Sequence, residues 1–344
     1  MIYLNNIIKR YGNTVALNGI HLEIKKGELV TLIGPSGCGK STLLRLLNRM
    51  IEPSEGELLI NGVNALELDP VKLRRSIGYV IQNVGLFPHL NVIENVEIVT
   101  SLLGWDKEKR RARSLELLSI VGLEPSKYAH RYPRELSGGQ QQRVGIARAL
   151  AADPEVLLMD EPFSAVDPLT REQLQAELLR IQSEVSKTIV FVTHDIHEAI
   201  LLGDKVVLMR DGQIEQYDTP TQLLQHPNND FVANFLGQER ELQYLGLTQV
   251  QDLLNRKLNN GLDLNTYEIL THENSSQQTL ADQGFITEDK PVTFDENKAS
   301  ENYIAANSTA RQALNQLLGG VPHLIVLNEQ QQPIGRLSLQ DFVK

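Results

Sequence analysis

With 344 residues, 41% apolar and 22% charged, the chain has enough apolar side chain for one large core with a smaller domain beside it. A formal net charge of −10 speaks against sequence-independent binding to nucleic acid, and a single cysteine, Cys38, rules out an intramolecular disulfide and suits a reducing compartment. No window approaches the ~18 apolar residues of a bilayer-spanning helix and the N-terminus lacks a signal-peptide run, so work at a membrane would need a separate spanning subunit.

In chain order, Ile2–Ile8 alternates apolar and polar like a half-buried strand, and Val15–Ile24 repeats the pattern up to the Lys25-Lys26-Gly27 turn. Leu29–Ile33 is a short, continuous apolar run of the kind buried in parallel sheets. A glycine-rich turn follows it, then a helical run, Thr42–Met50. From about Asn91 to Ala152 the spacing is helical, with Leu115, Leu118 and Val121 on one face and Gly122 after them. This predicts a helical subdomain inserted in an α/β core. Within it, Lys107–Arg113 reads as the solvated face of a helix, and Gln141–Ala152 is strongly helical. Val156–Met159 and Thr188–Thr193 have the character of further buried strands. Val206–Met209 and Gln213–Tyr217 predict a hairpin about the Asp211–Gly212 turn.

The fold class over residues 1–240 is therefore α/β. Beyond about Gln238, Asn and Gln become frequent, and residues 241–344 hold seven Lys/Arg against thirteen Asp/Glu. Leu270–Lys290 is polar and weakly periodic, which predicts loop or partial disorder. A helix near Thr309–Leu318 and strands at Pro322–Leu327 and Ile334–Ser338 predict a separate small domain over 241–344.

Several short stretches carry chemistry. Gly34-Pro35-Ser36-Gly37-Cys38-Gly39-Lys40-Ser41 matches the phosphate-loop pattern between a strand and a helix, where its backbone N–H groups can converge on phosphates. Lys40 is then expected to reach the β- and γ-phosphates of ATP, and Ser41 to offer its hydroxyl to Mg2+. Cys38 reads as a small tolerated residue, although a modified thiol there would block nucleotide. Asp160 ends an apolar strand and is expected to hold the metal through water, with Glu161 orienting or deprotonating the attacking water. Ser137-Gly138-Gly139-Gln140 opens a helix and forms a second anion site of hydroxyl and free N–H groups, or else a plain cap. His194 ends the third core strand, placed to face the γ-phosphate. Gln82 is placed to touch the metal and sense that phosphate. Tyr11, beside Gly12, either stacks on adenine or packs as strand-end aromatics do.

Taken in order, these elements resemble the nucleotide-binding subunit of an ABC transporter over roughly residues 1–240. The matching parts are the P-loop Gly34–Thr42, the Q-loop glutamine Gln82, the signature Leu136–Gln140, Asp160 with Glu161, the D-loop Ser164–Asp167 and the H-loop His194. The resemblance implies a P-loop NTPase (ABC ATPase) fold. It also implies a homodimer with ATP between one copy's P-loop and the other's signature, Asp167 being among the residues at the nucleotide. It further implies transmembrane permease subunits, driven through Asn83–Leu90, an extracytoplasmic substrate-binding protein, and a peripheral place on the cytoplasmic face of the cell membrane.

Ile77–Pro88 and Phe163–Arg171 are similar to the osmoprotectant importers, which take up glycine betaine, carnitine, choline or related quaternary amines. Amino-acid and polyamine importers carry close relatives of both segments and stay open as alternatives. A non-transport ABC ATPase is the alternative of another class; the roughly ninety residues from Ser41 to Leu136 lack its sustained heptads. Thr309–Lys344 resembles one CBS module, while its partner half, around Leu245–Ile286, lacks a recognisable pattern. A regulatory and a dimerising tail both stand open.

Overall fold

A computed structural model describes residues 2–81, 85–164, 166–185, 187–237, 240–259, 303–318, 321 and 323–342. The chain divides into two units, Met1–Gly237 and Gln238–Lys344. The first opens with β1 (Ile2–Tyr11), β2 (Thr14–Ile24), β3 (Leu29–Ile33), α1 (Lys40–Leu47), β4 (Glu55–Ile60), β5 (Val63–Asn64), α2 (Pro70–Ser76) and β6 (Ile77–Val80). A helical stretch follows: α3 (Val92–Leu102), α4 (Lys107–Ile120), α5 (Pro125–Tyr128) and α6 (Gly138–Leu150). The chain then returns through β7 (Val156–Asp160), α7 (Pro168–Val185), β8 (Thr188–Val192), α8 (Ile196–Leu202), β9 (Lys205–Arg210), β10 (Gln213–Asp218), α9 (Pro220–Gln225) and α10 (Asp230–Leu236).

Two sheets organise this unit, one ordered β2-β1-β4-β5 and one ordered β10-β9-β3-β8-β7-β6. In the second, β9, β3, β8, β7 and β6 run parallel, and only β10 is antiparallel. The continuous apolar runs follow from burial on both faces. Val30, Leu32, Val156, Leu158, Val190 and Val192 enter one core, shared with Leu43, Leu44 and Leu47 of α1 and with the antiparallel sheet. Their neighbours Leu29, Leu157, Met159, Ile189 and Phe191 enter the other, shared with Leu174, Leu178 and Ile181 of α7 and with α3, α4 and α6. Each strand thus feeds alternate side chains to two cores, as a period of two requires.

Parallel strands present their C-terminal ends at one edge, where ligands bind in open α/β sheets. The turn after β3, the Asp160–Glu161 pair ending β7 and the residues after β8 all emerge there, with β8 between β3 and β7.

Some sequence expectations are corrected. The helix after the glycine-rich turn runs Lys40–Leu47, not Thr42–Met50. It ends early because Arg49 takes φ 48°. The helix expected at Gln141–Ala152 begins at Gly138, because Ser137 caps it. Lys107–Arg113, by contrast, opens α4 as the expected solvated face, with Lys107, Glu108, Lys109 and Ala112 exposed; Arg110 and Arg111 lie 3.7 and 3.9 Å from Glu97, and Arg113 pairs with Glu116 at 2.9 Å. Strands β4 and β5, which complete the antiparallel sheet, had no counterpart in the sequence reading.

The second unit contains α11 (Arg240–Leu247), α12 (Val250–Asn259), β11 (Tyr303–Ala305), α13 (Ala310–Leu318), β12 (Leu324–Leu327), β13 (Pro333–Leu337) and a 3-10 turn, Leu339–Phe342. Strand β12 lies between a parallel β11 and an antiparallel β13. Val250, Leu254, Ile304, Ala313, Leu317, Val326 and Leu337 form its core. The stretch Leu270–Lys290, expected as loop, lies outside the described residues, as does most of the expected half-module Leu245–Ile286. Among the described residues, no helix is long and apolar enough to cross a membrane.

Candidate active site

Beyond β3 the backbone turns at Gly34 with φ 144°, and a Cβ there would lie 2.2 Å from the Met209 carbonyl oxygen. Gly39, at φ 109°, has the same constraint, its Cβ falling 2.8 Å from the Ala16 oxygen. Only glycine fits both positions, so the loop wraps closely and leaves Pro35, Ser36 and Gly37 exposed at its crown. Lys40 Nζ reaches back over this loop, donating to the carbonyls of Gly34 (2.7 Å) and Pro35 (3.0 Å). Thr42 sits half-buried in the first turn of α1. Cys38 is a free, buried thiol packed into the core beside α1, 3.7 Å from Lys40 Nζ. That is the place of a small core side chain. The curled loop, the helix N-terminus and a lysine within it form a cradle suited to a polyphosphate.

Ser41 Oγ donates to Asp160 Oδ1 at 3.2 Å, joining the phosphate loop to the end of β7. Burial pushes the Asp160 carboxyl above the usual carboxylate range; the Ser41 hydroxyl opposes this and the neighbouring Glu161 charge adds to it. The two oxygens make a hard donor pair. Among the described residues no three His, Cys, Asp or Glu side chains cluster as a metal cage. Such a sparse set fits Mg2+, which keeps waters and takes phosphate oxygens as its other ligands.

Glu161 takes a left-handed φ of 45°, unusual for a non-glycine residue and costing about 1 kcal/mol. Its N–H donates to the Val192 carbonyl at 3.0 Å, extending the β7–β8 ladder by one residue. Its carboxylate thereby meets the second residue after β8: His194 Nδ1 is 3.4 Å from Glu161 Oε2, with the imidazole 64% exposed. A carboxylate and an imidazole facing solvent beside a phosphate cradle can together position and deprotonate a water.

Other candidate residues lie apart. Ser137 caps α6, its Oγ accepting from the Gln140 N–H at 3.3 Å while Gln140 Oε1 accepts from the Ser137 N–H at 3.0 Å. Ser137 and Gly138 are exposed, Gly139 is buried, and Gln140 Nε2 donates to the Tyr128 hydroxyl. No hydrogen bond among the described residues links this turn to Gly34–Thr42. Asp167 is exposed at the start of α7. Tyr11 is 49% exposed at the end of β1, with Lys9 Nζ 5.1 Å from its ring centroid. Gln82 lies outside the described residues, as do Asn83 and Val84.

Two neighbours of this site had escaped the sequence reading. Asp195 caps α8, accepting from the N–H groups of His197 and Glu198. The Asp195-Ile-His-Glu198 spacing, a capping pattern, was the available signal. Arg171, 3.6 Å from the Asp195 carboxylate, left no such signal, because its partner is 24 positions away in the chain.

The ABC transporter family profile matches residues 17–164. The sequence is 51% identical over 258 residues to the glycine betaine/carnitine/choline transport ATP-binding protein OpuCA of Bacillus subtilis (strain 168), covering 74% of this chain and 68% of that one. It is 40% identical over 345 residues to the glycine betaine uptake system ATP-binding protein YehX of Escherichia coli (strain K12), covering 100% of this chain and 99% of the relative. Among solved structures, the dimer of the ATP-binding cassette MJ0796 in a post-hydrolysis state, bound to ADP and Pi, matches with a TM-score of 0.58 at 40% identity. That match covers 64% of this chain and 99% of the other.

Proposed function

Because the chain belongs to the ATP-binding proteins of the ABC transporter family, we propose that it is the ATP-hydrolysing subunit of an importer for a quaternary-amine osmoprotectant such as glycine betaine, carnitine or choline. The observation that carries the ATPase reading is the meeting of Ser41 with Asp160 and of Glu161 with His194 at one edge of the parallel sheet. The solute class is supported by the full-length likeness to a glycine betaine uptake protein.

In this reading the Gly34–Thr42 loop and Lys40 bind the phosphates of ATP. Ser41 and Asp160, with Gln82, would hold Mg2+, which neutralises charge developing on the phosphates. Glu161 takes the proton of the attacking water, and His194 keeps that carboxylate and the γ-phosphate aligned. Tyr11 stacks on adenine. The Ser137–Gln140 turn and Asp167 of a second copy close over the nucleotide, so the working unit is a homodimer. Permease subunits receive the motion through Asn83–Leu90, and an extracytoplasmic binding protein delivers the solute to them. Residues 1–240 form the ATP-binding domain and 241–344 a CBS-like domain.

The deciding experiment is uptake of radiolabelled glycine betaine at high osmolarity in cells lacking this gene and all other betaine systems. The wild-type gene restores uptake and Glu161→Gln does not. Equal restoration by both genes would remove Glu161 from its role. Failure of the wild-type gene, with the partner subunits expressed, would remove betaine as solute.

A further inference from the structure

We infer that Arg171 is a positioning residue for hydrolysis: one guanidinium holds the end of the Ser164–Asp167 loop and the carboxylate next to His194, so that loop and histidine move together. The inference rests on the ATPase reading above and assigns a role to a residue outside its motifs.

Arg171 Nη2 donates to the Val166 carbonyl at 3.2 Å, and Nη1 lies 3.6 Å from Asp195 Oδ2, an ion pair rather than a hydrogen bond. The two oxygens of Asp195 have separate tasks. Oδ1 accepts from the N–H groups of His197 (2.9 Å) and Glu198 (3.2 Å) at the start of the helix after His194, leaving Oδ2 for the guanidinium. The Asp195 N–H donates to Thr193 Oγ1 at 3.0 Å, and the Thr193 N–H to the Leu32 carbonyl at 3.2 Å. The backbone is therefore pinned on both sides of His194.

The loop is held at its other end as well, since Ser164 Oγ donates to the Glu161 carbonyl at 3.0 Å. It begins on the proposed base and ends, through Arg171, on the neighbour of the proposed histidine. In the proposed head-to-tail dimer this loop, exposed at Asp167, meets the second copy, so a partner pressing on it shifts Glu161 and His194 as a set. A planar guanidinium suits the task because its N–H groups diverge at fixed angles toward two acceptors. A lysine ammonium is a single point charge on a flexible stem.

The test uses the full-length chain and compares kcat, KM for ATP, ATP affinity and melting temperature. Its variants are Arg171→Ala, Arg171→Lys, Asp195→Asn and the Arg171→Ala/Asp195→Asn double. Asp195→Asn keeps the capping oxygen and removes the charge facing Arg171, so it reports on the pair without uncapping the helix. Expected is a kcat loss of roughly tenfold to a hundredfold in Arg171→Ala, the scale on which a small misplacement of reacting groups costs rate, with KM and ATP affinity within about twofold. Arg171→Lys recovers only part of the loss, Asp195→Asn loses kcat similarly, and the double variant is no worse than the weaker single. Wild-type kcat in Arg171→Ala, losses that multiply in the double, or a fall in affinity that tracks melting temperature would each overturn the inference and leave the ATPase reading intact. Absence of ATP turnover in the wild-type chain would overturn both.

Discussion

Glu198 shows how the site's surroundings bear on stability. The side chain is 4% exposed, and burial raises its carboxyl above the ordinary value; hydrogen bonds from Thr193 and Gln175 and the charge of Arg171 work against this, while Asp195 adds to it. A carboxylate whose folded pKa is raised contributes most stability below its unfolded pKa and loses that contribution as pH climbs through the folded value. The Glu198→Gln variant has no such proton to lose. Its melting temperature relative to wild type is therefore expected to become more positive as pH rises from the ordinary carboxylate range toward neutrality, as followed by calorimetry at several pH values. A difference independent of pH would show that Glu198 does not titrate in that range.

At the scale of elements, α6 depends on its first residue. Ser137 satisfies an otherwise orphaned N–H of the helix and forms a reciprocal box with Gln140. Ser137→Ala is expected to cost about 1 kcal/mol in denaturant unfolding, whereas Ser137→Gly costs only a few tenths. Both remove the hydroxyl proposed to reach the γ-phosphate of a second copy, so both are expected to lose ATP turnover. Turnover that survives in Ser137→Gly would reduce this turn to a cap. α1 is set differently: its entry needs the left-handed Gly39, where an alanine would collide with the Ala16 carbonyl.

For the whole molecule, the separation of the two proposed phosphate-binding elements matters most. The cradle at Gly34–Thr42 and the Ser137–Gln140 turn share no hydrogen bond within the described residues, and the solved cassette that this chain resembles is a dimer. Glu161→Gln is expected to bind ATP without consuming it and so to hold two copies together. Light scattering of that variant with Mg2+ and ATP should show the mass doubling, and with ADP the monomer. A monomer under both conditions would count against nucleotide shared between copies. The link is one of mass action, since a ligand bound only by the closed pair draws the equilibrium toward it.

The phosphate loop, the Asp160–Glu161 pair, His194 and the buried strands were all legible along the chain, because each is written in a few adjacent residues. Glycines stand where the backbone must curl, and unbroken apolar runs stand where both faces are covered. Such runs declare burial but not neighbours. Only the folded structure put β8 between β3 and β7, and so brought His194 against Glu161 and Ser41 against Asp160, 119 positions along the chain. The antiparallel strands β4 and β5 escaped for a related reason: Glu55–Ile60 is short and exposed over its first half, so its pairing with β1 leaves little pattern in its own residues. Arg171 is the extreme case. It closes the family-like segment Phe163–Arg171, but nothing there tells what it touches, and its place between Val166 and Asp195 exists only because two loops leave adjacent strands at the same edge of one sheet. The sequence by itself marked the groups proposed to do the chemistry; tertiary structure decided which of them meet, because contact between distant residues depends on strand order rather than on local pattern.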